Sequence, residues 1–203
     1  SNGEYICGGY RPNVIDGESN WKKMLLSAET SMFGSSIADY RRQNEAKKVK
    51  SIFHGAYRRE VFDRIGKYNE ELRRTEDNDI HQRMRAAGFD INFHPDIISY
   101  QHTRSTFKKM LKQKYANGYW IGRTVKINSK CFSLYHFVPA CFVLGILFTT
   151  ILAFLGIWQL SALMWGLYAI FLVINTVLAF VKDKTNLYLL FLPAIFLMLH
   201  LWY

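Results

Sequence analysis

Residues 75–88, Thr-Glu-Asp-Asn-Asp-Ile-His-Gln-Arg-Met-Arg-Ala-Ala-Gly, hold the groups in this chain best suited to chemistry. Thr75 stands where a helix can be capped, and Glu76, Asp77 and Asp79 fall in the first turn. The helix dipole favours negative charge at that end. Ile80, Met84 and Ala87 recur at helical spacing, so one face should pack inward, and Gly88 should close the helix. Two readings follow. One is an acidic cap on an amphipathic helix. The other is a general base, a carboxylate held ionised at neutral pH that takes a proton from an attacking hydroxyl. The low basicity of Asp is no obstacle when proton transfer is concerted with attack.

Several elements must position that helix. Ser51–His54 reads as a short buried strand and Gly55-Ala56 as a tight turn. Arg58–Ile65 reads as a short helix with Val61, Phe62 and Ile65 on its apolar face and Gly66 as its stop. Residues 90–94 and 97–101 read as two strands separated by Pro95. Strands alternating with helices predict an α/β domain. The charge-rich residues 41–50 read as a surface loop.

The chain has 203 residues with a formal net charge of +10, and the charge is unevenly spread. Residues 1–130 carry 24 basic against 15 acidic residues, a balance of +9; beyond Lys130 only Lys182, Asp183 and Lys184 are charged. Residues 132–155, 160–181 and 187–203 are nearly continuous apolar runs. A helix needs roughly 20 apolar residues to cross the hydrocarbon core, so the first two are span candidates and the third is short. The runs lack the strict alternation of barrel strands. Lys126, Lys130, Lys182 and Lys184 flank the runs, which predicts residues 1–130 and the 182–186 loop on the cytoplasmic side and residues 156–159 outside. Pro139 is expected to kink the first span; His136 and Asn175 are polar residues within spans.

Residues 105–126 join the two halves. Ser105 or Thr106 can cap a helix whose Phe107, Met110, Leu111 and Tyr115 share one face and whose Lys108, Lys109 and Lys112 share another. Such a helix beside apolar runs reads as lying in the membrane interface against lipid, with Tyr119 and Trp120 at headgroup level. A surface helix of the soluble half is the other reading. Nucleic acid is not an expected partner. Cys7, Cys131 and Cys141 are odd in number and form no Cys-x-x-Cys pair, so neither a disulfide framework nor a zinc site is indicated. The chain opens at Ser1-Asn2 and stops inside an apolar run, so a piece of a longer protein is expected.

One set of residues in this order resembles the family 2 glycosyltransferases. It comprises Gly55-Ala56-Tyr57-Arg58-Arg59-Glu60-Val61-Phe62, Ile65-Gly66, Asn69-Glu70-Glu71-Leu72, Thr75-Glu76-Asp77-Asn78-Asp79-Ile80, Arg83, Ala87-Gly88, Pro95, Arg104-Ser105 and Gln113-Lys114-Tyr115-Ala116-Asn117-Gly118. The nearest type is the membrane-bound bacterial exopolysaccharide enzyme of the succinoglycan kind. The resemblance covers about residues 3–130 and continues loosely through the apolar runs.

The resemblance implies a fold: the C-terminal part of a GT-A (Rossmann-like) domain over residues 1–104, an interface segment over 105–130, then transmembrane helices over 131–203. It also implies inverting transfer of a sugar from a nucleotide-sugar donor to a lipid-linked or glycan acceptor at the cytoplasmic face of the plasma membrane. Asp77 then corresponds to the base, with Glu76 beside it. Gly55, Arg58, Arg59, Arg104 and Gln113 correspond to the substrate pocket, and His102 to a metal-binding position or else a surface histidine. The donor-binding strands and the Asp-x-Asp motif for a divalent metal (Mg or Mn) are expected before residue 1. The chain alone should then be inactive. A non-catalytic membrane scaffold with a degenerate transferase domain is the alternative, and a transporter piece a third.

Overall fold

The computed structural model describes residues 3–31, 41 and 45–203, and two compact units emerge. The first comprises Ser1–Val14, Ser36–Thr103 and Asn117–Ser133; the second comprises Ile15–Ser35, Arg104–Ala116 and Leu134–Tyr203.

In the first unit a four-stranded sheet runs β3-β5-β1-β4, with β1 at Ile6–Tyr10, β3 at Lys47–Lys48, β4 at Ala56–Tyr57 and β5 at Asn92–Ile98. β1 and β5 are parallel, and the outer strands pair antiparallel to them. A two-stranded ribbon joins β2 (Asn13–Val14) to β6 (Gln101–His102) in parallel. Helices α2 (Arg59–Ile65) and α3 (Glu76–Ala86) complete the unit. Its core is Ile6, Val49, Ile52, Val61, Ile80, Met84, Ile91 and Phe93, supplied by both strands and helices. The structure is thus a mixed helix and sheet arrangement.

The three expected strands change. Ser51–His54 is a bend rather than a strand, and His54 lies at φ 52, in the left-handed region. Edge pairing goes instead to Lys47–Lys48, within the stretch read as a surface loop; residues 42–44 of that stretch lie outside the described residues. Pro95 does not separate two strands but sits inside β5. Register slips there, so that Gly9 opposes His94 while Tyr10 opposes Ile98. Proline cannot donate to the ladder, which is why strands tolerate it at bulges. The bulge needs glycine opposite: a Cβ on Gly9 would stand 2.0 Å from the Ile97 carbonyl oxygen.

In the second unit α1 (Asn20–Thr30) packs Met24, Leu25 and Ala28 against Met110, Leu189, Leu192, Ile195, Phe196 and Leu199. Met110 comes from α4 (Phe107–Val125), whose start Thr106 caps by accepting from the Lys109 N–H. The grouping joins α1 to the apolar helices. The buried face of α4 also differs from expectation. Tyr115 is exposed, and Lys114 is buried in its stead, with Nζ 3.7 Å from Glu29. One turn after Met110 the inward position is 114, and a carboxylate on α1 makes a lysine tolerable there.

Helices α5 (Val138–Phe154) and α6 (Trp158–Lys182) hold the first two apolar runs, and among the described residues two helices are long and apolar enough to cross a membrane. Pro139 does not kink the first: it sits in the first turn of α5, where its missing N–H costs no helical bond. The third run forms a 3-10 stretch, Leu187–Phe191, then the short α7, Leu192–Leu201, whose inward residues are buried against α1 and α4.

Candidate active site

Helix α3 carries the acids, and its neighbours hold it rigidly. Arg83 Nε donates to Asp79 Oδ2 at 3.0 Å, one turn back. The two Nη atoms of Arg83 donate to the carbonyls of Ile65 and Lys67 at 2.8 Å each. Asn128 Nδ2 donates to Asp79 Oδ1 at 2.7 Å and to Gln82 Oε1 at 3.1 Å. Asp79 is buried, and both its oxygens have partners. Thr75 begins the helix but does not cap it with its side chain. Its buried hydroxyl meets that of Thr124 at 2.5 Å and so ties α3 to the end of α4.

Asp77 has different surroundings. It is half-buried, and its carboxyl is pushed up to about 6, first by loss of water and then by the Glu76 charge. Its own backbone N–H and the Arg11 guanidinium pull the other way. Glu76 sits beside it with Oε2 buried and without a hydrogen-bond partner among the described residues. Removing water from a carboxylate disfavours the ion and makes it a stronger base.

Arg11 was not singled out from the sequence. It is 9% exposed and lies over the Phe53 ring at 3.5 Å, close enough to act on both Asp77 and His54. The signal was Gly-Gly-Tyr-Arg-Pro at residues 8–12, a charge at the end of a glycine-bearing strand. His81 was also missed. It is fully buried, with Nδ1 2.9 Å from Ser51 Oγ and Nε2 2.8 Å from the Tyr57 hydroxyl. Burial, then the Arg85 charge, push it down to about 4, so the ring is neutral at physiological pH. Burial, then the nearby Tyr68 and Asp77, push the Tyr57 hydroxyl upward and keep it protonated.

The other anticipated residues divide into those near this network and those apart from it. Gly55 lies against Tyr57: a Cβ there would come within 2.7 Å of the hydroxyl oxygen. Arg58 begins α2 and lies over the exposed Tyr5 ring at 5.4 Å, and Arg59 follows it on the surface. Arg104 and Gln113 belong to the second unit, where Arg104 Nε donates to Gln113 Oε1 at 3.0 Å. His102 stands exposed on β6.

The Asp77-Asn78-Asp79 triplet does not fit a metal ion, because Asp79 is already held by Arg83 and Asn128. Among the described residues no three His, Cys, Asp or Glu side chains gather as ligands would. What the site offers is an unusually basic carboxylate with a second acid beside it, a cation close by and a hydroxyl network one helical turn along.

Comparison with known proteins bears on what such a site does. The family model described as Glycosyl transferase family group 2 matches residues 8–200. Neither a curated protein nor a solved structure matches the chain with significance.

Proposed function

The chain belongs to glycosyl transferase family group 2, and on that premise we propose that it is the acceptor-side part of an inverting, membrane-anchored glycosyltransferase with Asp77 as general base. The observation that carries this reading is the contrast within α3: Asp79 is tied up by Arg83 and Asn128, while Asp77 is desolvated and raised to about 6. A base with that pKa is ionised at neutral pH yet binds a proton more readily than an ordinary aspartate.

The proposed step follows directly. The acceptor hydroxyl gives its proton to Asp77 as its oxygen attacks the anomeric carbon of the donor sugar. The bond from that carbon to the nucleoside diphosphate breaks on the opposite face, so configuration inverts, and the leaving diphosphate takes the electron pair. Arg11, and at the surface Arg58 and Arg59, supply the positive charge and forked donors that suit diphosphate oxygens. Glu76 keeps the Asp77 carboxyl basic. Arg104 and Gln113 are proposed as further substrate-binding residues on the strength of the family resemblance. The GT-A fold, the nucleotide-binding strands and any Mg or Mn at the diphosphate are assigned to the longer protein of which this chain is taken to be a part, with His102 a surface residue.

The two apolar helices support membrane association, and the plasma membrane is the proposed location. With positive residues kept inside, the first unit is proposed to face the cytoplasm. The acceptor is then lipid-linked or a growing surface glycan such as an exopolysaccharide.

The test is incorporation of radiolabelled sugar by membranes carrying the full protein. Asp77→Asn should reduce it about 10²–10⁴-fold, the usual contribution of a positioned base, while leaving membrane insertion intact. Undiminished incorporation would remove Asp77 as the base and favour a scaffold.

A further inference from the structure

We propose that the open cleft at the amino ends of β1 and β5 is a second carbohydrate site, which holds a neutral, hydroxyl-rich glycan away from the place of transfer. The cleft lies wholly within the first unit and has a volume of about 430 Å³. Small-molecule sites usually span about 300–1,000 Å³. Three pieces of chain build it: the residues leading into β1, Arg64 in the last turn of α2, and the turn from α3 into β5. Helix α3 is 11 residues long and reaches the cleft with its C-terminal end, so its acidic first turn lies about 16 Å away along the axis. The cleft is therefore separate from Asp77 and does not depend on that residue being the base.

Its walls combine aromatic rings with paired polar groups. The Tyr5 ring packs beside that of Phe89, with centroids 5.4 Å apart and planes tilted by 58°, and Tyr5 is 46% exposed. The Arg64 guanidinium lies over the Phe89 ring at 5.3 Å and has no hydrogen bond or ion pair among the described residues. The other polar side chains are each fixed by one partner and keep an atom to spare. Glu4 Oε2 meets His94 Nε2 at 2.7 Å, and Asp90 Oδ2 meets Lys48 Nζ at 2.6 Å. Asn92 Nδ2 donates to the Ile6 carbonyl at 3.3 Å. Glu4 Oε1, Asp90 Oδ1 and Asn92 Oδ1 remain as acceptors, and the Arg64 N–H groups as donors. That set selects a ligand class. An anion would meet two carboxylates, and a cation would meet Arg64. A neutral pyranose gives its hydroxyl protons to the acceptors, takes hydrogen bonds from the guanidinium and lays its C–H face on the rings. A protein of a glycosyltransferase family meets such glycans as acceptors or products.

The test is equilibrium binding to the full protein, purified in a detergent without a sugar headgroup. Cellotetraose, mannotetraose and galactotetraose are titrated in a calorimeter, with a galacturonate tetramer as the charged comparison. At least one neutral tetrasaccharide should bind. Tyr5→Ala and Arg64→Ala should each weaken that binding about tenfold, the worth of one good contact or hydrogen bond. Tyr5→Phe keeps the ring and should bind as the parent does, and so should Asp77→Asn. Melting temperatures check that the variants fold; if Tyr5→Ala does not, Arg64→Ala decides. No binding of any neutral tetramer, tighter binding of the galacturonate, or undiminished affinity in the folded variants overturns the inference. Binding lost in Asp77→Asn but kept in Tyr5→Ala assigns the sugar to the acceptor position on α3 and overturns it too. The base reading is judged by sugar incorporation, so either idea can fail without the other.

Discussion

Asp77 and Asp79 lie on one helix, two residues apart, and their surroundings are opposite. Asp79 is buried and bonded on both oxygens, to Arg83 and Asn128. Asp77 is half-buried, with a second acid next to it and its carboxyl raised to about 6. A charge that serves structure is surrounded by donors, whereas one that serves proton transfer is left short of them. The helix dipole acts on both and so does not distinguish them. The difference comes from residues far along the chain: Asn128 secures the one, and Arg11 attends the other.

Breaking each carboxylate in turn should expose the difference most strongly. Asp77→Asn is expected to lose about 10²–10⁴-fold in turnover, whereas Asp79→Asn should keep most of its turnover per folded molecule. Stability should respond in reverse. Asp79→Ala leaves Arg83 partly buried without its carboxylate, and breaking such a pair costs about 3–5 kcal/mol, read as a lowered melting temperature or denaturant midpoint. Gly55→Ala tests the hydrogen-bonded pair of Tyr57 and His81. Its Cβ would stand 2.6 Å from Ile52 Cδ1 and 2.7 Å from the Tyr57 hydroxyl oxygen. Overpacking of that kind costs about 1–3 kcal/mol, and turnover should fall as Tyr57 moves.

A smaller effect sharpens the comparison through pH. Asp77 has a raised pKa in the folded state, so folding favours its protonated form. Its contribution to stability therefore declines as pH rises from about 4 to about 6, then levels off. His81 has a lowered pKa and acts in the opposite sense over nearly the same range, so the whole protein's curve mixes the two. The difference between the protein and Asp77→Asn isolates one. The variant should be more stable by about 1–2 kcal/mol above pH 6, after allowance for partial exposure, and no more stable below pH 4.

The same contrast explains what the sequence could and could not reveal. The acidic start of α3, its inward Ile80 and Met84 and its end at Gly88 follow from local periodicity, and the structure has all three. The two long apolar helices were equally plain, because length and composition suffice. Strands were less legible. Lys47–Lys48 and Ala56–Tyr57 are two residues each, too short for a period of two to show, and the pairing partners of β1 and β5 lie some eighty residues apart. The proposed site was legible in part. Asp77 and Glu76 stood out by their position in a turn. Arg11 and His81 did not, because their surroundings come from tertiary neighbours. Nor did spacing show that Arg104 and Gln113 pair with one another, nine residues apart.

If Asp77 is the base, its desolvated carboxyl must lose its proton before the acceptor can be activated. The pH dependence of kcat/KM for sugar transfer by the full protein reports the pKa of that group in the free enzyme. Activity should rise with pH through a single apparent pKa of about 6 and then reach a plateau. A profile that is level from pH 5 to pH 8 by direct measurement, or that falls as pH passes about 6, would contradict it.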